Sequence, residues 1–266
     1  MSDASGSTTA EISESAYRKF HSSGYISPDP LELVYLITDP LEREVAAFIA
    51  SSFALGRVQS ILACVRLVFE RLRSRSGSLR TALLELSFSE LRNLFDDFVY
   101  RFFGQDEVAS FLDAVGSVLR QRGTLEAEFA RGIAESDMTT LPALARFSRV
   151  LTDQAQLPFG ILISDPTKGA SKRLHLFLRW MVRHDEVDPG GWSCVTPEKL
   201  IVPMDTHMLR MSRALGLTRR KTADLKTAIE VTEAFRAIRP DDPVRYDFSL
   251  TRYGIHPEGR KLDSFS

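Results

Sequence analysis

At 266 residues, 44% hydrophobic and 26% charged, the chain is long enough for one large globular domain or two small ones. It has no apolar run of the ~18 residues that would suggest a membrane span, and its two cysteines, Cys64 and Cys194, are too few for a disulfide framework or a four-cysteine zinc or iron–sulfur site. A net charge of −1 excludes a uniformly basic surface, so any polyanion site has to be local.

The first ten residues are rich in Ser, Thr, Ala and Gly and lack the basic and apolar regions of a signal peptide. Residues 1–15 are therefore expected to be a disordered tail, 16–266 a globular unit, and the protein cytoplasmic. Asp39-Pro40-Leu41-Glu42 reads as a helix start, with Asp as N-cap and Pro at the first helical position. Its apolar run ends near Gly56, and apolar residues at helical spacing predict a second helix over 58–73. Further helices are predicted over 79–86, 89–98, 106–122, 124–134 and 141–154. After a turn-rich stretch, Ser164 to Gly169, a strong helix is expected over 171–183, with Leu174, Phe177, Leu178 and Met181 as its apolar stripe and Arg179 and Arg183 on another face. Asp188-Pro189-Gly190-Gly191 breaks the chain, and helices follow over 206–215, 222–238 and 243–253. No segment has the two-residue alternation of a strand, so the expected class is all-α.

Charge is uneven along this pattern. From Lys168 to Lys221 there are eleven Lys and Arg against five acids, a local +6 that leaves −7 on the rest. A basic segment on an acidic body fits an oriented polyanion site, and equally a solvated arginine-rich face. Within it, Lys172 opens one predicted helix and Asp205 sits at the N-cap of another, thirty-three residues later. The positive end of a helix dipole disfavours a cation, which promotes the nucleophilic amine of Lys172. Backbone N–H groups at an N-cap hold a carboxylate ionised and oriented. Such a pair suits attack on a sugar carbon that develops positive charge. Spacing alone does not bring the two together, and each residue also has an ordinary structural reading.

The segments Ser171-Lys172-Arg173 and Met204-Asp205-Thr206-His207 resemble the lysine and aspartate motifs of the helix–hairpin–helix DNA glycosylases. The separation is longer than in endonuclease-III-type members and is similar to that of the archaeal 8-oxoguanine glycosylases. Asp39 to Arg57 resembles the first core helices of that superfamily. The chain also looks like a family of uncharacterised bacterial proteins with a Lys-Arg-Leu…Phe-Leu-Arg-Trp-Met-Val-Arg segment. The resemblance implies a two-lobed helical fold with a cleft near residues 160–210. It also implies excision of a damaged base, an oxidised purine by the longer connection, with Lys172 as nucleophile at C1′, Asp205 as charge stabiliser, and an accompanying lyase activity. Double-stranded DNA is the implied partner, with RNA an alternative. Lys168, Arg173, Arg179 and Arg210 are candidate phosphate contacts, and Arg57 and Trp192 candidate pocket residues.

The chain departs from the superfamily in two places. The Gly-x-Gly hairpin is replaced by Asp165-Pro166-Thr167-Lys168-Gly169, a degenerate form, and the four-cysteine cluster is missing, so no cofactor is expected. His175, His184 and His207 with Asp185, Glu186 and Asp188 lack any metal-ligand spacing, and no metal is expected. The competing reading is a non-catalytic helical protein that binds nucleic acid or another partner on the same scaffold.

Overall fold

In a computed structural model, residues 8–156, 158 and 162–255 are described. They form thirteen α-helices, and apart from two isolated bridges there is no β-structure among the described residues. The chain divides into two compact units. One holds residues 27–137 and 141–165, the other residues 8–26, Met138–Thr140 and 166–255.

The first of these units contains α2 (Leu31–Val34) through α9 (Leu141–Gln154). α3 (Pro40–Ser52) begins as its sequence implies: the Asp39 carboxylate accepts the Glu42 N–H at 2.8 Å, with Pro40 at the first position. α4 (Val58–Ser76) runs a turn beyond the expected 58–73, because Gly77, at φ 76°, is the left-handed residue that ends it. α5 (Leu79–Glu85) and α6 (Phe88–Leu94) follow, the latter opened by a Ser87/Glu90 capping box. α7 (Gln105–Arg122) is the central helix and packs against α5, α6, α8 (Leu125–Ala130) and α9. Gly116 permits this: a Cβ there would lie 2.2 Å from the Leu83 carbonyl oxygen of α5. Phe48, Phe111, Phe129 and Phe147 form the aromatic centre of the core. α8 is capped both by its own Thr124, which accepts the Ala127 N–H at 3.0 Å, and from outside its segment. The buried Glu44 carboxylate of α3 accepts the N–H groups of Leu125 at 2.9 Å and Glu126 at 2.7 Å.

The other unit contains α1 (Thr9–Phe20), α10 (Lys172–Val182), α11 (Thr206–Ala214), α12 (Leu225–Ile238) and α13 (Asp247–Ile255). The expected tail over 1–15 is corrected for residues 9–15, which belong to α1; Met1 to Ser7 lie outside the described residues. α1 opens with a capping box between Thr8 and Glu11 and packs along α13. The Glu14 carboxylate accepts the Tyr246 hydroxyl at 3.0 Å, and the Arg245 guanidinium lies 3.7 Å from the Tyr17 ring centre.

α10 is buried on more than its apolar stripe. Trp180 is fully buried, and Arg179 and Arg183 are only 4% and 3% exposed. Arg179 pairs with Asp188 at 3.1 Å and with Asp247; Arg183 pairs with Asp188, with Asp185 at 2.7 Å and with Asp242 at 3.0 Å. Asp185 also meets His21 of the segment after α1 at 3.0 Å. Burial works against charge here, but the facing carboxylates outweigh it and hold both guanidiniums ionised. The cluster ties α10 to the loop that follows it and to the start of α13.

Candidate functional site

The site is built on the first turns of α10 and α11. Lys172 is the first residue of α10, and Ser171 before it takes a left-handed conformation, φ 40° and ψ 43°. A non-glycine residue there is strained. The Ser171 carbonyl nonetheless accepts the N–H groups of Leu174 at 3.0 Å and His175 at 3.2 Å, so the helix is engaged from Lys172 onward.

Asp205 is the N-cap of α11, and its two carboxylate oxygens have separate partners. Oδ1 accepts the Met208 N–H at 2.8 Å, while Oδ2 meets Lys172 Nζ at 2.7 Å. Burial acts to raise its pKa, but the Lys172 charge, the hydrogen bond from Nζ and the Met208 N–H prevail and hold the carboxyl below its ordinary range. Both side chains are about one-third exposed, at 38% and 32%, so the pair is open to a ligand. The approach to Asp205 is buried over residues 201–204, and Val202 donates its N–H to the Thr232 hydroxyl of α12 at 3.0 Å.

His207 lies in the first turn of the same helix. Its Nε2 is 3.1 Å from the Thr251 carbonyl and its Nδ1 is 3.2 Å from the Arg210 guanidinium. Since arginine only donates, Nδ1 accepts and the Nε2 proton goes to Thr251. Burial and the Arg210 charge push the His207 pKa below its usual value despite Asp205 nearby, which keeps the imidazole neutral. Gly254 completes this packing, because a Cβ there would sit 2.7 Å from His207 Nε2.

Lys168 is exposed in the turn before α10, Arg173 is half-buried in the first turn of α10, and Arg210 is exposed on α11. Arg210 also reaches the Gly254 carbonyl at 3.4 Å. Arg179 is corrected: buried between Asp188 and Asp247, it is not available to a phosphate. Trp192 is corrected in the same way. It is 7% exposed, its ring stands edge-on to Phe177 at 5.1 Å, and its backbone N–H bonds to Met181, so it packs against α10 instead of offering a face to a base. Arg57 is exposed at the N-cap of α4, in the other unit.

The ion-pair cluster was missed by sequence reasoning, although its signal was present. Arg179 and Arg183 are one turn apart, and the acids 185 and 188, considered above as metal ligands, are their partners. Among the described residues no group of three or more His, Cys, Asp and Glu is placed to hold a metal ion. No helix of the described residues is long and apolar enough to cross a membrane.

No curated protein and no solved structure matches the chain. One family model does, over residues 29–256, a span that includes both Lys172 and Asp205. The chain therefore belongs to the DUF2400 family, proteins of unknown function.

Proposed function

We propose that the protein is a DNA glycosylase with an accompanying lyase activity, acting on a damaged nucleotide flipped out of a duplex. The observation that carries this reading is the Lys172–Asp205 contact, 2.7 Å long, between residues at the starts of two helices. The motif resemblance supplies the chemistry. A base inside a stacked duplex is out of reach, so the nucleotide has to leave the stack before reaction.

The bound nucleotide excludes water from the pair, which favours its neutral form, and Lys172 passes a proton to Asp205. The Nζ lone pair then forms a bond to C1′, and the C1′–N bond to the base breaks, its electron pair leaving with the base. The base takes up the proton held by Asp205, whose carboxylate then opposes the positive charge on the sugar. One N–H proton moves to O4′ as the C1′–O4′ bond opens, leaving a protonated imine that is ready for β-elimination. The longer connection between the two motifs favours an oxidised purine as substrate.

Borohydride reduction on a panel of lesion-bearing duplexes tests this. The wild-type protein is expected to form a covalent adduct with at least one lesion, and Lys172→Gln none. An adduct that survives in Lys172→Gln assigns the nucleophile elsewhere.

A second reading rests on the same contact. A half-exposed ion pair also clasps α10 to α11 in a protein that binds nucleic acid without turnover. Binding without any trapped adduct across the panel, in DNA and RNA alike, selects that reading.

A further inference from the structure

Between α6 and α7 the chain makes a two-residue turn. Tyr100 and Phe103 exchange both backbone hydrogen bonds, at 2.8 and 2.9 Å, which leaves Arg101 and Phe102 at the tip. Arg101 is left-handed, at φ 55°, a conformation uncommon outside glycine.

The base of this turn is firmly seated. Tyr100 and Phe103 are buried, their rings stand edge-on to Phe53, and the Tyr100 hydroxyl donates to the Leu55 carbonyl at 2.7 Å. The tip is the opposite. Phe102 is 72% exposed and Val99 is 82% exposed. An isolated exposed apolar residue is common. Here, however, a seated base and a strained backbone together hold an aromatic ring out in water.

A guanidinium accompanies the ring. Arg101 lies 5.5 Å from the Phe102 ring centre and crowds Gly56, where a Cβ would be 2.7 Å from its Nη1. The next residue along, Arg57, is exposed. Of the acids flanking the turn, Asp97 is paired with Arg71, Asp106 with Arg92, and Glu107 accepts the Gly104 N–H at 2.8 Å, while Asp96 is exposed. An apolar ring with a guanidinium against it, on a unit that also exposes Arg57, is the chemistry that suits a π-face bounded by phosphates. Any base offers such a face, and guanidiniums bind phosphate oxygens in paired geometry.

We propose that this turn is a nucleic-acid contact of the α2–α9 unit, in which Phe102 wedges into the base stack of a duplex while Arg101 and Arg57 hold the adjoining phosphates. Wedges of this kind unstack a base step in exchange for contact with the protein. The inference shares its partner class with the function proposed above but does not depend on the lysine chemistry.

The test therefore uses the Lys172→Gln protein, with a duplex carrying 2-aminopurine, whose fluorescence rises when the base unstacks. With the native turn, binding is expected to raise the fluorescence. Phe102→Ala is expected to abolish the rise and weaken binding about tenfold, the order of one base–aromatic stack. Phe102→Trp should restore both. The exposure of Phe102 means that the melting temperature should not move, which separates contact from folding. A Phe102→Ala protein that binds and unstacks like its parent overturns the proposal, and so does a protein that binds no duplex or uses the turn to hold another protein. Loss of borohydride trapping in the wild type would refute the lysine chemistry alone.

Discussion

The two ends of α10 carry the same chemistry in different surroundings. At its first turn Lys172 meets one carboxylate at a site about one-third exposed; at its last turn and C-cap the buried Arg179 and Arg183 meet four, of which Asp188 and Asp247 are themselves buried. In water an ion pair is weak and exchangeable, so the first can be opened by a ligand. Away from water, removing one partner strands a charge that has no alternative. Along one helix, then, burial separates ion pairs available to chemistry from those that hold the fold.

This contrast is most exposed to challenge at Asp188, which is fully buried and shared by both arginines. Asp188→Ala is expected to cost about 3–5 kcal/mol, read as a large fall in melting temperature. A loss below about 1 kcal/mol, the level of a surface pair, would break the comparison.

Asp205→Asn sharpens it from the other side. An amide oxygen still accepts the Met208 N–H, so the cap survives and the protein should melt within about two degrees of wild type. The charge facing Lys172 is lost, and under the proposed function base excision should fall by ~100-fold or more. An active, well-folded Asn variant would leave Asp205 as a helix cap alone.

The smallest effect expected is at His175, where α10 buries a titratable group without any ion pair. The ring is 1% exposed, neither nitrogen has a hydrogen-bond partner among the described residues, and burial lowers its pKa to about 4. The folded state refuses a proton that the unfolded chain accepts below about 6.5. Stability should therefore be whole above that pH and decline as pH falls toward 4, by about 3 kcal/mol at most. Replacing His175 with Phe should flatten the decline in that window. An unchanged slope would assign the loss to groups other than His175; Asp185 is not among them, because its depressed pKa makes its contribution fall only at lower pH.

Helix positions were readable because local rules set them. α9 occupies its expected 141–154, and α3 starts at the Asp39-Pro40 signal. α1 was overlooked although Thr8 and Glu11 have the spacing of a capping box, since composition was given more weight than that signal. Arg179 was misread because a stripe analysis places every charge outside, and only tertiary partners 9 and 68 residues away reverse that. Trp192, a pocket candidate by resemblance, is held away from that role because Gly190 and Trp192 bond back to carbonyls of α10. The pairing of Lys172 with Asp205 lay beyond periodicity altogether. Residues thirty-three apart meet only once two helices are packed, and motif resemblance was what suggested it.

Glu44 has a consequence for the order of assembly. α8 is six residues long, too short to persist alone, and two of its opening N–H groups are satisfied by a carboxylate from α3. That helix is thus conditional on a residue made some eighty positions earlier, and forms only after the chain has closed a long loop onto α3. Its amides should exchange with solvent when the whole unit opens, and a cut between α3 and α8 would leave the later fragment with Thr124 alone to cap that helix.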